Sequence, residues 1–321
     1  MGSIMKTLIV GGTGFVGGYT ALYFQGRGHD VTIMSRSKPK GTSRLNDLRF
    51  VPGNYVEDDF DDGRLEGFDS LVFCAGTDIG VFPGDGSMTQ EEFFEKCNTI
   101  GIPKFFERAK RAGISRTVYM GSFYSFVAPA SIERIPYVRS RHLADERVRA
   151  LSSPSFNVCS CALPWIVGYI PGFRVDHWAA FARYAKGEMT GAPEFSPPGG
   201  ANFMTCQSVA EAMLGGLQRG ESGKAYLIGD INLSWKEFFE LWFKAAGRPR
   251  KLEVREDDHP IIPREVIRYL GGGTTSYEPP GEETALLGYQ RGVLLPMIEE
   301  SYRHYGVDSS ADDTYPRSAV M

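Results

Sequence analysis

Several things are scarce in this chain. No apolar run approaches the roughly 20 residues that a membrane-spanning helix needs, so no membrane partner is expected. Positive charge is in slight deficit, 35 Lys and Arg against 39 Asp and Glu, for a net charge of -4. Nucleic acid and anionic lipid therefore have no electrostatic reason to bind. Cysteines are few, odd in number and scattered: Cys74, Cys97, Cys159, Cys161 and Cys206. That pattern argues against a disulfide framework. Cys159 and Cys161 are two apart in a strand-like run and face one side. No second Cys or His pair at ligand spacing joins them, so they read as small buried apolar groups and no metal site is expected. No cationic segment followed by an apolar stretch opens the chain, which makes the cytoplasm the expected location. Internal repeats and low-complexity tracts are missing as well.

What remains is an ordinary globular composition over 321 residues, 42% hydrophobic and 23% charged. That length holds one large domain or two modest ones. Apolar strand-like runs alternate with helical patterns through the first half. The runs are KTLIVGG, DVTIMSR, LRFVPGN, FDSLVFCAG, RTVYMGS and FNVCSCALP. Strands that are apolar throughout and separated by helices indicate an α/β parallel sheet covered on both faces. After Pro164 the rhythm breaks into a stretch rich in aromatics, Pro and Gly. Helical patterns follow at DHWAAFARYAKG, CQSVAEAMLGGLQRG and SWKEFFELWFKAAG, the last with a serine cap. KAYLIGD reads as a returning strand.

The first strand ends in Gly11-Gly12-Thr13-Gly14-Phe15-Val16-Gly17, which opens the first helix. A glycine triplet between a strand and a helix provides a tight turn, bare backbone beside a diphosphate, and close helix–strand packing. The helix start then offers unpaired N–H groups to phosphate oxygens. Dinucleotide binding through Gly11, Thr13, Gly14, Phe15, Val16 and Gly17 is the expectation. The end of the second strand selects the cofactor. An NAD site places an acid there for the ribose hydroxyl, whereas this chain has Ser35, Arg36 and Lys38, with Asp30 at the wrong end of the strand. Arginine suits a 2′-phosphate by charge and geometry. NADP is therefore favoured over NAD.

Near the middle of the chain, IPYVRSR places Tyr137 and Arg141 four residues apart just after a proline. On a helix both lie on one face. A phenol titrates near pH ~10 and an adjacent cation lowers that value, so the pair is a candidate proton-transfer device. The competing reading pairs Arg141 with Asp145 on the helix surface.

With these motifs in hand, the chain resembles the extended short-chain dehydrogenase/reductase family, which includes NAD(P)-dependent epimerases, dehydratases and hydroxysteroid dehydrogenases. GGTGFVGG is similar to the family's cofactor loop. VFCAG is similar to its fourth-strand end, which implies Cys74, Ala75 and Gly76 beside the cofactor. NTIGIPKFFERAKRAGISRTVYMGS is similar to its asparagine-bearing helix and fifth strand, which implies Ser122 as the active-site serine. ALPWIVGYIPG is similar to its sixth-strand motif, which implies Pro164 and Val167 near the nicotinamide. The family's Tyr-x-x-x-Lys appears here as Tyr137-x-x-x-Arg141, with no lysine nearby in the helix. The resemblance implies a Rossmann doubly wound sheet with a smaller, mostly helical C-terminal lobe. Residues 4–168 and 202–230 are assigned to the nucleotide domain, 169–201 and 231–305 to the substrate lobe, and 306–321 to a tail. It implies Ser122, Tyr137 and Arg141 as catalytic groups, and a homodimer is common in the wider family.

The substrate side is expected at Phe123, Tyr124, Trp165, Phe173, His177 and Trp178. Such an apolar surface fits a hydrophobic small molecule, although a small lobe also needs aromatics for its own core. Three readings follow. The leading one is an NADP-dependent oxidoreductase acting on a ketone or alcohol. The second is an epimerase, dehydratase or isomerase that keeps its cofactor, sugar nucleotides included. The third is an NADP-binding sensor without redox turnover, motivated by the missing lysine.

Overall fold

Seven short apolar stretches form one parallel sheet in the computed structural model, which describes residues 4–269 and 273–306. They are β1 (Lys6–Val10), β2 (Asp30–Ser35), β3 (Arg49–Pro52), β4 (Ser70–Phe73), β5 (Arg116–Ser122), β6 (Asn157–Leu163) and β9 (Ala225–Leu227). Their order across the sheet is β3-β2-β1-β4-β5-β6-β9. The chain runs outward from β1 in both directions, so the carboxyl ends of β1 and β4 border a crevice. Open α/β sheets bind their ligands at that switch point. This is the Rossmann arrangement. Side chains alternate between the two faces as the strand period requires. Leu8, Val10, Leu71 and Phe73 pack with Phe105 and Phe106 on one face. Ile9, Val72 and Val118 pack with Ala21, Phe24 and Met213 on the other.

The helices behave as their ends dictate. Pro136 occupies the first turn of helix Pro136–Arg149, where its missing N–H costs nothing. Thr89 and Glu92 form a reciprocal capping box at the start of helix Gln90–Phe94, and Ser234 and Glu237 form another at helix Trp235–Ala245. The segment from Gln90 to Arg111 is one helical run, with a π-helical turn at Glu95–Ile100 in its middle. Such turns are frequent at functional sites.

Three strands escaped the sequence reading: β7 (Trp165–Val167), β8 (Gly200–Thr205) and β10 (Ile231–Ser234). They form a separate sheet of order β10-β8-β7. Trp165 pairs with Phe203 and Val167 with Thr205. The lobe border therefore falls differently from the expected one. Trp165–Val167 leaves the large sheet directly after Pro164, and residues 202–205 belong to the small sheet. Only from helix Cys206–Arg219 does the chain return to the large one. The small lobe is closed by helices Asp176–Lys186, Trp235–Ala245 and Leu294–Gly306. Its core is aromatic. Phe203 stacks on Phe238 at 3.9 Å, Phe181 on Phe239 at 4.9 Å and Trp178 on Trp242 at 5.6 Å. Beyond Gly306, the expected tail lies outside the described residues.

Candidate active site

The glycine loop is held by its own backbone. Gly11 N–H donates to the Met34 carbonyl at 2.8 Å, and Gly14 N–H to the Gly11 carbonyl at 3.0 Å. Gly11 has φ +81°, and a Cβ on it would lie 2.7 Å from the Ala75 nitrogen. A Cβ on Gly17 would collide with the Gly11 carbonyl. The fold itself thus demands these two glycines. Gly14 is different. Its φ of -89° suits any residue, and a Cβ there would meet only the Gly11 carbonyl, at 3.3 Å. Bare backbone at Gly14 is explained by something that approaches from the cleft. Helix Phe15–Gly26 starts at this point with no side-chain cap and no acid in its first turn. Its unpaired N–H groups and positive end fit a diphosphate.

Past β2, Arg36 and Lys38 are exposed. Ser35 Oγ donates to the Met34 carbonyl at 2.6 Å and accepts from Thr13 N–H at 3.4 Å. Asp30, at the far end of β2, is ion-paired with Arg49. The described residues at that end of β2, Ser35, Arg36, Ser37 and Lys38, include no carboxylate.

The π-helical turn aims Asn98 into the gap between two elements. Its Oδ1 accepts from the Thr77 N–H and Oγ1, both at 3.1 Å, and its Nδ2 donates to the Thr77 carbonyl at 3.0 Å and to Ser140 Oγ at 3.1 Å. Ser140 Oγ donates in turn to the Tyr137 carbonyl at 2.8 Å. One carboxamide therefore ties the loop after β4 to the helix that carries Tyr137.

Tyr137 sits in the first turn of that helix, half-buried, with Phe94 at 5.5 Å and Tyr124 at 6.2 Å between ring centres. Ser122 closes β5 opposite Leu163 of β6, within hydrogen-bonding influence of the Tyr137 phenol. Arg141 lies one turn on and is buried, 6% exposed. Its Nη2 donates to the Met120 carbonyl, its guanidinium lies 5.6 Å from the Tyr119 ring centre, and its Nε has no partner. Gly76 makes room for it, since a Cβ there would sit 3.0 Å from Arg141 Nη1. Asp145 is paired with Arg149, at 2.7 Å, and not with Arg141. Arginine is thus wedged between the ends of β4 and β5, directed at the site.

The expected downward shift of the Tyr137 phenol is overturned. Burial pushes its pKa above the usual value. The pull of Arg141 is smaller, Asp78 adds to the push, and hydrogen bonds from Ser122 and Arg141 only moderate it. The phenol holds its proton at neutral pH. Burial also pulls on the Arg141 guanidinium, but the surrounding phenols of Tyr119, Tyr137 and Tyr55 outweigh it and keep the charge in place. Asp78 is held up at about 6 by burial, against the Gly80 N–H and Arg141. Its Oδ1 accepts from that N–H at 2.8 Å.

These groups border one cavity of about 320 Å³. Gly11, Gly14, Phe15, Val16 and Gly17 wall one end, with Cys74 and Gly76 beside them. Ser122, Tyr137 and Arg141 lie at its centre with Pro164. Phe123, Tyr124, Trp165, Ile166 and His177 form the far wall. Thr13, Ser35, Arg36, Lys38 and Ala75 follow the same sheet edge outside the cavity. Three expected residues are not brought to it. Val167 is wholly buried on β7, Trp178 is core, stacked on Trp242, and Phe173 packs against the lobe core, its carbonyl near His304. The sequence reading missed Asp78 and Val266, and met Asn98 only as the head of the asparagine-bearing segment. Asp78 carried one signal, a carboxylate two residues past the Gly76 that ends the fourth-strand motif.

The profile of the NAD dependent epimerase/dehydratase family matches residues 7–229. The chain belongs to this family. As a member of it, the chain is an oxidoreductase-like enzyme whose cofactor is a nicotinamide dinucleotide. Sterol demethylase protein B of Methylococcus capsulatus is 24% identical over 272 residues, 77% of this chain and 76% of the relative. A putative dihydroflavonol 4-reductase of Synechocystis sp. is 24% identical over 250 residues, 70% of this chain and 68% of the relative. The family fold extends beyond the matched segment. The UDP-N-acetylglucosamine 4-epimerase of Bacillus cereus superposes with TM-score 0.68 at 18% identity, covering 93% of this chain and 98% of the epimerase.

Proposed function

We propose that this family member transfers hydride between NADP(H) and the ketone or alcohol of a fairly hydrophobic small molecule. The observation that carries the reading is the make-up of the far wall. Phe123, Tyr124, Trp165, Ile166 and Val266 are apolar or amphipathic. Among the described residues that line the cavity, Arg141 is the one fixed cation, and it is engaged with the Met120 carbonyl. Arg174, outside the cavity lining, is paired with Asp176 at 2.7 Å. No other described residue of the lining carries a positive charge for a substrate's diphosphate. The names of two relatives, a sterol enzyme and a dihydroflavonol reductase, agree with an apolar polycyclic substrate.

A bound nicotinamide supplies or accepts the hydride. The protein does the rest. In the reductive direction Tyr137, protonated because it is buried, gives its proton to the carbonyl oxygen as that oxygen gains charge. The Ser122 hydroxyl donates to the same oxygen and steadies it. Arg141 stabilises the phenolate left behind, and the Asn98 carboxamide holds the helix in register with the β4 loop. In place of the usual lysine, arginine keeps the charge while its wider planar fork changes the reach. Arg36 and Lys38 grip the 2′-phosphate, Ser35 lines its approach, and Thr13, Ala75 and Pro164 border the cofactor.

The test is steady-state consumption of NADPH with a panel of cyclic and aromatic ketones. Continuous NADPH loss is the expected result, with NADH at least ~tenfold less efficient. A second reading has one observation in its favour. Asp78 places a second titratable group beside Tyr137, an acid–base pair that suits the elimination step of a dehydratase with retained cofactor. Conversion of a UDP-sugar without net NADPH loss would establish that reading instead. Tight NADP(H) binding with no turnover in either assay would point to the sensor.

A further inference from the structure

Two tight turns from different lobes meet beside the start of helix Phe15–Gly26. One follows β2 and its Arg36 and Lys38. Gly41 in it has φ +80°, and Asn46 Nδ2 braces it by donating to the Gly41 and Ser43 carbonyls at 3.0 and 3.1 Å. Behind it Leu45 packs on the helix, where a Cβ on Gly18 would lie 2.8 Å from Leu45 Cδ1. The other turn follows β7. Gly168 lies against the Phe15 ring, since a Cβ on it would be 3.4 Å from Phe15 Cζ, and its carbonyl accepts from Tyr305 Oη at 3.1 Å. Gly172 has φ +73°, and Phe173 N–H donates back to the Ile170 carbonyl at 3.0 Å. The turns are joined where Thr42 N–H donates to the Gly172 carbonyl at 3.2 Å. Bare backbone is required on both sides. A Cβ on Gly41 would sit 2.7 Å from the Gly172 carbonyl oxygen, and one on Gly172 would sit 2.9 Å from Ser43 N and Thr42 Oγ1.

This contact closes a circuit of chain. Thr13 N–H donates to Ser35 Oγ, the chain runs on from Ser35 to Thr42, crosses to Gly172, and returns through Gly168 to Phe15. The cavity that holds Tyr137 ends at Gly14 and Phe15, and Arg36 and Lys38 lie beyond it. A dinucleotide that reaches from Pro164 to Arg36 has to pass the helix start that the circuit adjoins. Each turn is braced from within its own lobe, whereas the joint between them is one hydrogen bond from Thr42 to Gly172, both exposed. Stiff parts held by one solvent-exposed bond open locally at that bond.

We propose that the Thr42–Gly172 contact is a gate, which has to open before the nicotinamide dinucleotide can enter or leave. The inference rests on the dinucleotide site alone and holds whichever reaction the enzyme runs. In an enzyme that consumes NADPH the gate slows each exchange of cofactor, and in one that recycles its cofactor the same gate retains it.

The experiment is stopped-flow binding of NADPH to the full chain, read by energy transfer from the indoles to the bound nicotinamide, with no substrate present. In the wild type the observed rate is expected to level off as NADPH rises, because opening precedes binding. Gly41→Ala and Gly172→Ala break the joint from opposite sides. Each is expected to raise both the plateau and the rate of NADPH release at least ~tenfold, the worth of a lost hydrogen bond and a strained turn. The dissociation constant should stay within about threefold, since a gate alters passage and leaves the contacts of the bound cofactor in place. Gly191→Ala is the control for backbone strain, with φ +77° and no neighbour within 4 Å, and should leave the rates alone. A wild-type rate that rises linearly with NADPH overturns the proposal whether or not a variant folds. Release unchanged in both variants overturns it too, as does faster release with association unchanged, which would make the turns a simple contact for the cofactor.

Discussion

The two ends of the cavity are made of different material. The end walled by Gly11, Gly14 and Gly17 is bare backbone, supplied by seven consecutive residues and one helix start. The far end is made of side chains from four places in the chain. Phe123 and Tyr124 follow β5, Trp165 and Ile166 lie on β7, His177 comes from its own helix and Val266 from helix Arg264–Tyr269. A diphosphate wants N–H groups and an absence of side chains, which a local motif can provide. An apolar ligand wants shape, which depends on how distant elements pack. Variation in the two ends should therefore be separable. Changes at the near end alter cofactor affinity, and changes at the far end alter which substrate is taken.

The strongest test of that separation acts at the junction. Tyr137→Phe should lower kcat by roughly 10²–10⁴, with NADPH affinity, followed by fluorescence titration, essentially unchanged. Full activity on the preferred substrate would refute the proton-transfer role. At the near end, Gly14→Ala should keep the fold, since its backbone angles suit any residue and the Gly11 carbonyl, 3.3 Å from the added Cβ, has to give by only a few tenths of an ångström, yet bind NADPH at least ~tenfold more weakly. An equal loss of melting temperature would show that Gly14 serves the fold as Gly11 does. Arg36→Ala should raise KM for NADPH roughly ten- to a hundredfold, the worth of a charged hydrogen bond, and leave KM for NADH alone. A parallel rise for both cofactors would remove the NADP assignment.

Two smaller effects sharpen the centre. Arg141→Lys should keep or raise turnover, within a factor of about three, because the charge beside Tyr137 is retained. A collapse would mean that the contact with the Met120 carbonyl is indispensable. Asp78→Asn gives the pH test. The Asp78 carboxyl is raised to about 6 in the fold, so its ionised form is worse tolerated there than in the unfolded chain. Its contribution to stability is whole below the ordinary aspartate value of ~3.9 and is lost as pH rises through about 6. Asp78→Asn should raise the melting temperature above pH ~7, do little below pH ~4, and remove any break near 6 in the kcat/KM profile. A break that persists in the variant belongs to another group.

Legibility followed the same division. The strands of the large sheet, the glycine loop and the placement of Tyr137 and Arg141 on one helical face were all readable, because each depends on neighbours a few residues apart. The direction of the Tyr137 shift was not. Sequence spacing reveals the cation four residues away, but desolvation depends on Phe94 and Tyr124 closing over the ring. The aromatics after Pro164 show the limit most clearly. Trp165 and Trp178 look alike in the sequence, yet one lines the cavity and the other stacks on Trp242 in the core. Asp78 was passed over because its importance comes from what lies opposite it in space.

By itself the sequence determined the large sheet, the serine cap of helix Trp235–Ala245 and the glycine motif that opens the first helix, since strand periodicity, capping and a tight turn are set by contiguous residues. Only the tertiary structure decided which aromatic rings face the cavity, that Arg141 is wedged between two strand ends in the space left by Gly76, and that Tyr137 stays protonated. Those outcomes depend on burial and on side chains that meet from separate elements of the chain, and no local pattern encodes such contacts.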